Sequence, residues 1–178
     1  GNRLEILEAL DILQGRGRED ITTFICELAQ IMLGLADVEK TVEEVREQLT
    51  NGAALKKFEA MVVAQGGDLE DLYRPSSAVH IVDVKAEQAG YITELPAMEF
   101  GLFAMRLGAG RAVKSDDLDY ETGIVFEKKV GDKVEIGEVF AKIYSNEKIS
   151  QELVTDFQKN VKIGDESVAV SEIIEVIA

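Results

Sequence analysis

The stretch "TGIVFEKKVGDKVEIGEVFAKIYSN", residues 122–146, decides the fold of the chain around it. Its β-branched and aromatic runs are cut by Gly131-Asp132 and again by Gly137, which reads as strand, turn, short strand, turn, strand. Lys133-Val134-Glu135-Ile136 alternates polar and apolar, the period of a strand with one face covered. Working outward, "VHIVDVKA" (79–86) and "AGYIT" (89–93) are further short strands. Between them and the deciding stretch, "PAMEFGLFAMRLGAG" (96–110) reads as a helix, with Pro96 near its first turn and glycines after its last. A helix around Lys148–Lys159 and two strands, "VKI" (161–163) and "VAVSEIIEVIA" (168–178), follow.

Upstream the texture is helical. Leu4, Leu7 and Leu10, with Ile6 and Leu13, recur at three- and four-residue steps until Gly15. A second helix is expected after Asp20 as N-cap, carrying Ile21, Phe24, Ile25, Leu28, Ile31, Met32 and Leu35 on one stripe. A third holds Val38, Val42, Val45 and Leu49 and stops at Asn51-Gly52. A fourth carries Leu55, Phe58, Met61 and Val62 and closes at Gly66-Gly67. Proline and small polar residues at Arg74-Pro75-Ser76-Ser77 interrupt the periodicity, so the expected division is 1–75 and 76–178. Each helix has an apolar face needing a cover. The helices over 3–13 and 21–35 are therefore expected to invite self-association.

The 178 residues suit one ordinary domain or two small ones, and 46% hydrophobic content is that of a globular chain. A formal net charge of −15 repels phosphodiester backbones and anionic lipids, which argues against nucleic-acid and membrane-surface roles. No apolar run approaches the roughly 20 residues that cross a bilayer. Cys26 is the one cysteine, so no intramolecular disulfide forms. Its helical apolar setting reads as a buried thiol, and a reducing, cytoplasmic location is expected.

The candidate chemistry is sparse. "QGRG" (14–17), "AQGGD" (64–68) and "RLGAGRAVK" (106–114) are glycine-rich, but a phosphate loop needs amides at the positive end of a following helix. "LGAG" and "QGGD" instead follow helices, and termination accounts for both. Arg111 and Lys114 face Asp116, Asp117 and Asp119, a poor anion site. His80 is the only histidine, inside a strand, with no converging ligands for zinc and no nucleophile-elbow serine. The acidic runs "VEEVREQ" (42–48) and "SDDLDYE" (115–121) read as solvated faces or turns.

Two resemblances organise the rest. The 123–144 pattern resembles half of a biotinyl or lipoyl carrier domain. Such a carrier presents a lysine at a hairpin tip, in a context such as Glu-Ala-Met-Lys or Asp-Lys-Ala, which is absent here. Lys133 lies in the Gly-Asp turn region instead. The shape therefore reads as a scaffold, with a non-enzymatic carrier or interaction module as the alternative.

The second is more extensive. "GNRLEILEALDILQGRG" (1–17), "FEAMVVAQGGD" (58–68), "AEQAGYI" (86–92) and the series from Arg106 to Asn146 together resemble the thymidine/pyrimidine-nucleoside phosphorylase family, the bacterial pyrimidine-nucleoside enzymes most of all. The resemblance implies an α+β chain: a helical part of the family's central α/β domain (1–75), then an α/β-hammerhead, barrel-sandwich-like C-terminal domain (76–178). It implies reversible phosphorolysis of uridine or thymidine by the whole enzyme, a cytoplasmic homodimer of nucleoside salvage acting on pyrimidine nucleoside and phosphate. The family's phosphate and base sites match nothing in this chain, so no catalytic residue is carried over. The chain is expected to be a C-terminal fragment, inactive alone. One residue is carried over: in "GN..E..E" the second glutamate is Glu8, which the resemblance implies as the carboxylate ligand of a potassium ion in the full-length enzyme. The bland reading is that Glu8 is a favourable anion near a helix N-terminus. A related AMP phosphorylase shares the C-terminal layout and stays open as an alternative.

Overall fold

The structure is a computed structural model, and it describes residues 2–170. Its elements run α1 (Asn2–Leu13), α2 (Glu19–Leu35), α3 (Val42–Thr50), α4 (Ala53–Ala64) and α5 (Leu69–Tyr73), then β1 (His80–Lys85), β2 (Gly90–Glu94) and α6 (Ala97–Ala104). A π-helical turn, Met105–Ala109, extends α6. The remainder is β3 (Gly123–Phe126), β4 (Lys133–Val134), β5 (Val139–Ser145), α7 (Gln151–Lys159) and β6 (Lys162–Gly164). The chain is α+β, as the sequence implies.

Two compact units emerge. One comprises Glu5–Pro75; the other comprises residues up to Leu4 and from Ser76 onward. In the helical unit α3 begins with a capping box: Thr41 Oγ1 accepts from Glu44 N while the Glu44 carboxylate accepts from Thr41 N. Val38 therefore lies outside the third helix. Asp20 is not the cap of α2: Arg18 holds that position, and Asp20 sits in the first turn, where its carboxylate accepts from Ile21 N. Of α2, Thr22 and Cys26 are buried, four residues apart on one face. The expected stripe does not form the buried face, because Ile25, Leu28, Met32 and Leu35 are all exposed. Short α5 has no amphipathic period to announce it; Asp68 caps it by accepting from Glu70 N.

The later unit is built on two antiparallel three-stranded sheets, ordered β1-β5-β3 and β4-β2-β6. In the first, Ile143 lies opposite both Val82 and Ile124, and Ala141 lies opposite Val84 and Phe126. The β-branched residues pair across the pleat, which is the unit of sheet stabilisation. Inward residues Val84, Ile92, Val134, Phe140 and Ile143 form the core with Phe100 and Phe103 of α6 and Val154 and Phe157 of α7. Phe157 is fully buried and packs against Phe100, Phe103, Phe126 and Phe140. "VAVSEIIEVIA" forms no strand over 168–170, and its remainder lies outside the described residues.

Candidate functional site

The start of α1 is held by carbonyls far along the chain. The first four N–H groups of a helix have no partner within it. Here Arg3 N donates to Tyr120 O at 3.0 Å, and the Asn2 side chain donates from Nδ2 to Ala109 O at 2.9 Å. Asn2 takes a left-handed conformation, φ +55°, which asparagine tolerates better than most residues. Leu4, beside it, is buried. Asn2–Leu4 thus belong with the unit that supplies both carbonyls.

Glu8 is exposed, six residues along the same helix. The dipole account does not serve it: α1 starts at Asn2, its first-turn carboxylate is Glu5, and the dipole's effect fades within one turn. Among the described residues no three His, Cys, Asp or Glu side chains gather as a metal site. The donor set here therefore fits one charged oxygen ligand, suited to a hard, weakly held cation, and not a complete site.

The other sequence candidates fall into structural roles. The Arg111 guanidinium donates from Nε to Asp116 O, while the Asp116 carboxylate accepts from Ala112 N and Val113 N, each at 3.0 Å. That turn is closed on its own carboxylate. Gly66 takes φ +82° after α4, as a helix terminator does. His80 pairs with Ser145 as a strand residue. Lys133 lies in β4, exposed and ion-paired with Glu135 at 2.9 Å, which raises its pKa first through that hydrogen bond and then through charge. Burial pushes the Cys26 thiol up, with Arg46 acting against it, so the cysteine is no ready nucleophile. Sequence reasoning passed over Asn2 as an anchoring side chain; its place beside the helix start in "GN..E..E" was the available signal.

The pyrimidine nucleoside phosphorylase C-terminal domain family matches residues 91–164. The pyrimidine-nucleoside phosphorylase of Staphylococcus aureus strain USA300 is 40% identical over 176 residues, covering 95% of this chain and 41% of the relative. The same-named protein of strain COL gives the same figures. The chain thus spans about two fifths of the length of these curated relatives, 41%. Among the described residues no helix is long and apolar enough to cross a membrane. Residues 91–164 thus match a pyrimidine nucleoside phosphorylase C-terminal domain, and the chain along almost its whole length is similar to about two fifths of a pyrimidine-nucleoside phosphorylase.

Proposed function

We propose that this chain serves the reversible phosphorolysis of pyrimidine nucleosides as the C-terminal part of a longer enzyme, and that it is inactive by itself. In that reaction a phosphate oxygen bonds to the anomeric carbon of uridine or thymidine as the bond to the base nitrogen breaks. The products are the base and a (deoxy)ribose 1-phosphate. Charge develops on the sugar and the departing base, so preorganised donors and anions around them govern the rate. Residues 1–75 would be helices of the catalytic α/β domain and residues 76–178 the C-terminal domain. The whole enzyme would be a cytoplasmic homodimer.

One observation carries the reading: 40% identity to a pyrimidine-nucleoside phosphorylase over 95% of the chain. Within it, Glu8 would give one carboxylate oxygen to a potassium ion whose other ligands come from outside this segment. When bound, that ion would supply positive charge close to the phosphate. The test is uridine phosphorolysis followed by ultraviolet absorbance, for the chain alone, for the preceding portion of the enzyme alone, and for the mixture. Turnover only in the mixture is expected. Turnover by this chain alone would overturn the proposal, since no phosphate or base site has been placed in it. If the mixture is silent, the same assay on the continuous full-length enzyme decides, and no turnover of uridine or thymidine there sinks the assignment.

A further inference from the structure

The chain holds four asparagines, and one of them stands in a different chemical setting from the rest. Asn2 donates from Nδ2 to Ala109 O at 2.9 Å, Asn146 to Asp119 Oδ1 at 3.0 Å and Asn160 to Asp156 O at 3.0 Å. Their amide nitrogens are engaged, and a large residue follows each: Arg3, Glu147 or Val161. Asn51 is exposed and is followed by Gly52, and its Nδ2 has no partner among the described residues. It is the C-cap of α3, at φ −87° and ψ −2°, and its Oδ1 accepts from Ala53 N at 2.9 Å. The ring closed by that bond contains both Asn51 Cγ and Gly52 N, so the side-chain carbonyl is folded back along the next peptide. Gly52 takes φ +75°, with nothing within 4 Å of where a Cβ would stand. Its N–H donates to Leu49 O at 3.2 Å, longer than the common value of about 2.9–3.0 Å.

We propose that Asn51 is a site of spontaneous deamidation, and that the isoaspartyl product loosens the turn between α3 and α4. Gly52 N bonds to Asn51 Cγ, the Cγ–Nδ2 bond breaks, and the proton from Gly52 N passes through water to the departing nitrogen, which leaves as ammonia. The five-membered imide then takes up one water. Attack at Cγ restores the ordinary chain with an aspartate at position 51. Attack at the main-chain carbonyl carbon routes the chain through Cβ and Cγ as isoaspartate. Both need the long bond to Leu49 O to open and ψ of Asn51 to leave its helical value, a local opening of an exposed turn. An aspartate keeps an oxygen for Ala53 N and adds charge at the start of α4, which has no acidic residue in its first turn. The same charge stands at the end of α3, so the two dipole effects oppose each other. Isoaspartate inserts one methylene into the main chain between the helices and breaks the cap on Ala53 N. Gly52, the N-cap residue of α4, has no side chain to replace it.

The test incubates the folded chain in mildly alkaline heavy-oxygen water, returns it to ordinary water and digests it with trypsin. Mass spectrometry follows the peptide 47–56, with the fragments carrying Asn146 and Asn160 as internal references. Asn51 should convert about tenfold or more faster than either, because glycine leaves the approach to its nitrogen open. The product should carry one heavy oxygen and include isoaspartate, read by methyl transfer from protein isoaspartyl methyltransferase. Ion exchange separates the deamidated chains, which carry one more negative charge. A mainly isoaspartyl fraction should melt about 4–8 °C below the starting chain, the shift that loss of one cap gives a unit of this size. Asn51→Asp should melt within about 2 °C of wild type. Conversion at Asn51 no faster than at Asn146 and Asn160, over a period in which the free peptide 47–56 deamidates, would overturn the site. Conversion without isoaspartate would overturn the cyclic route. An isoaspartyl fraction that melts with the starting chain would overturn the loosening of the turn.

Discussion

The ring of Phe157 in α7 meets Phe103 of α6 edge-on, with centroids 5.1 Å apart and planes at 77°. Phe157 also contacts Phe100 and Phe126, at centroid distances of 4.8 and 6.0 Å, so one side chain fastens α7 to α6 and to the sheet. Phe157→Ala should destabilise the later unit by about 3–5 kcal/mol, the range for a large buried aromatic left as a cavity. Phe157→Leu should cost less. Urea melts followed by circular dichroism check both, and a loss near zero would mean that the cluster is not the keystone of this core.

Gly90 starts β2 at φ +152°, and a Cβ built there would stand 2.6 Å from Gly164 O. The obstacle is the backbone of β6, which cannot swing aside as a flexible side chain could. Gly90→Ala should therefore cost more than about 1 kcal/mol and loosen the β2–β6 pairing. Amide exchange should rise selectively at Tyr91 and Gly164, which lie opposite each other.

The capping box of α3 makes a prediction about acid. Thr41→Ala should cost about 1 kcal/mol, the usual loss for an N-cap hydroxyl. The Glu44 pKa is lowered, first by its hydrogen bond to Lys40 and then by that from Thr41 N. A carboxyl with a depressed folded-state pKa binds fewer protons folded than unfolded. Its contribution is present above the ordinary glutamate value of about 4.3 and is lost as pH falls through the lower, folded value. The stability gap between wild type and Glu44→Gln should be constant near neutrality and shrink below about pH 4. A gap that widens on acidification would contradict the capping-box account.

Met32 and Leu35 on α2 are 69% and 84% exposed, and Ile25 and Leu28 are exposed beside them at the same helical spacing. Such a stripe should drive concentration-dependent self-association of the chain. Light scattering should show a mass that rises with concentration, and the double substitution Met32→Lys and Leu35→Lys should abolish the rise. A monodisperse wild-type monomer at high concentration would refute it.

What could be read from the sequence follows from the range of the interactions involved. Strands over 79–86 and 122–146 were legible because β-branched runs and glycine turns act locally. The start of α3 was also local: Thr41-Val42-Glu43-Glu44 is the capping signature, and the apolar period through Val38 obscured it. α5 and the π-helical turn after α6 were not legible. The first is shorter than two helical turns, and the second depends on Gly108 turning so that its carbonyl meets Asp119 N. Glu8 could be singled out only through family resemblance, since an exposed helical glutamate looks like any other. The hydrogen bond from Asn2 to Ala109 spans 107 residues of sequence, a relationship no local pattern encodes.

The grouping of Asn2–Leu4 with the later unit also has a consequence for the polymer. The chain leaves that unit after Leu4 and re-enters it at Ser76, so the helical unit is a closed loop of about 70 residues whose ends stay attached when it unfolds. A tethered coil has fewer arrangements than a free one. The logarithmic term for a loop of that length is on the order of 3–4 kcal/mol, taken from the unfolded side of the balance. Releasing Asn2 and Arg3 from Ala109 and Tyr120 would return that entropy to the unfolded helices, so a few hydrogen bonds in one unit help keep the other one folded.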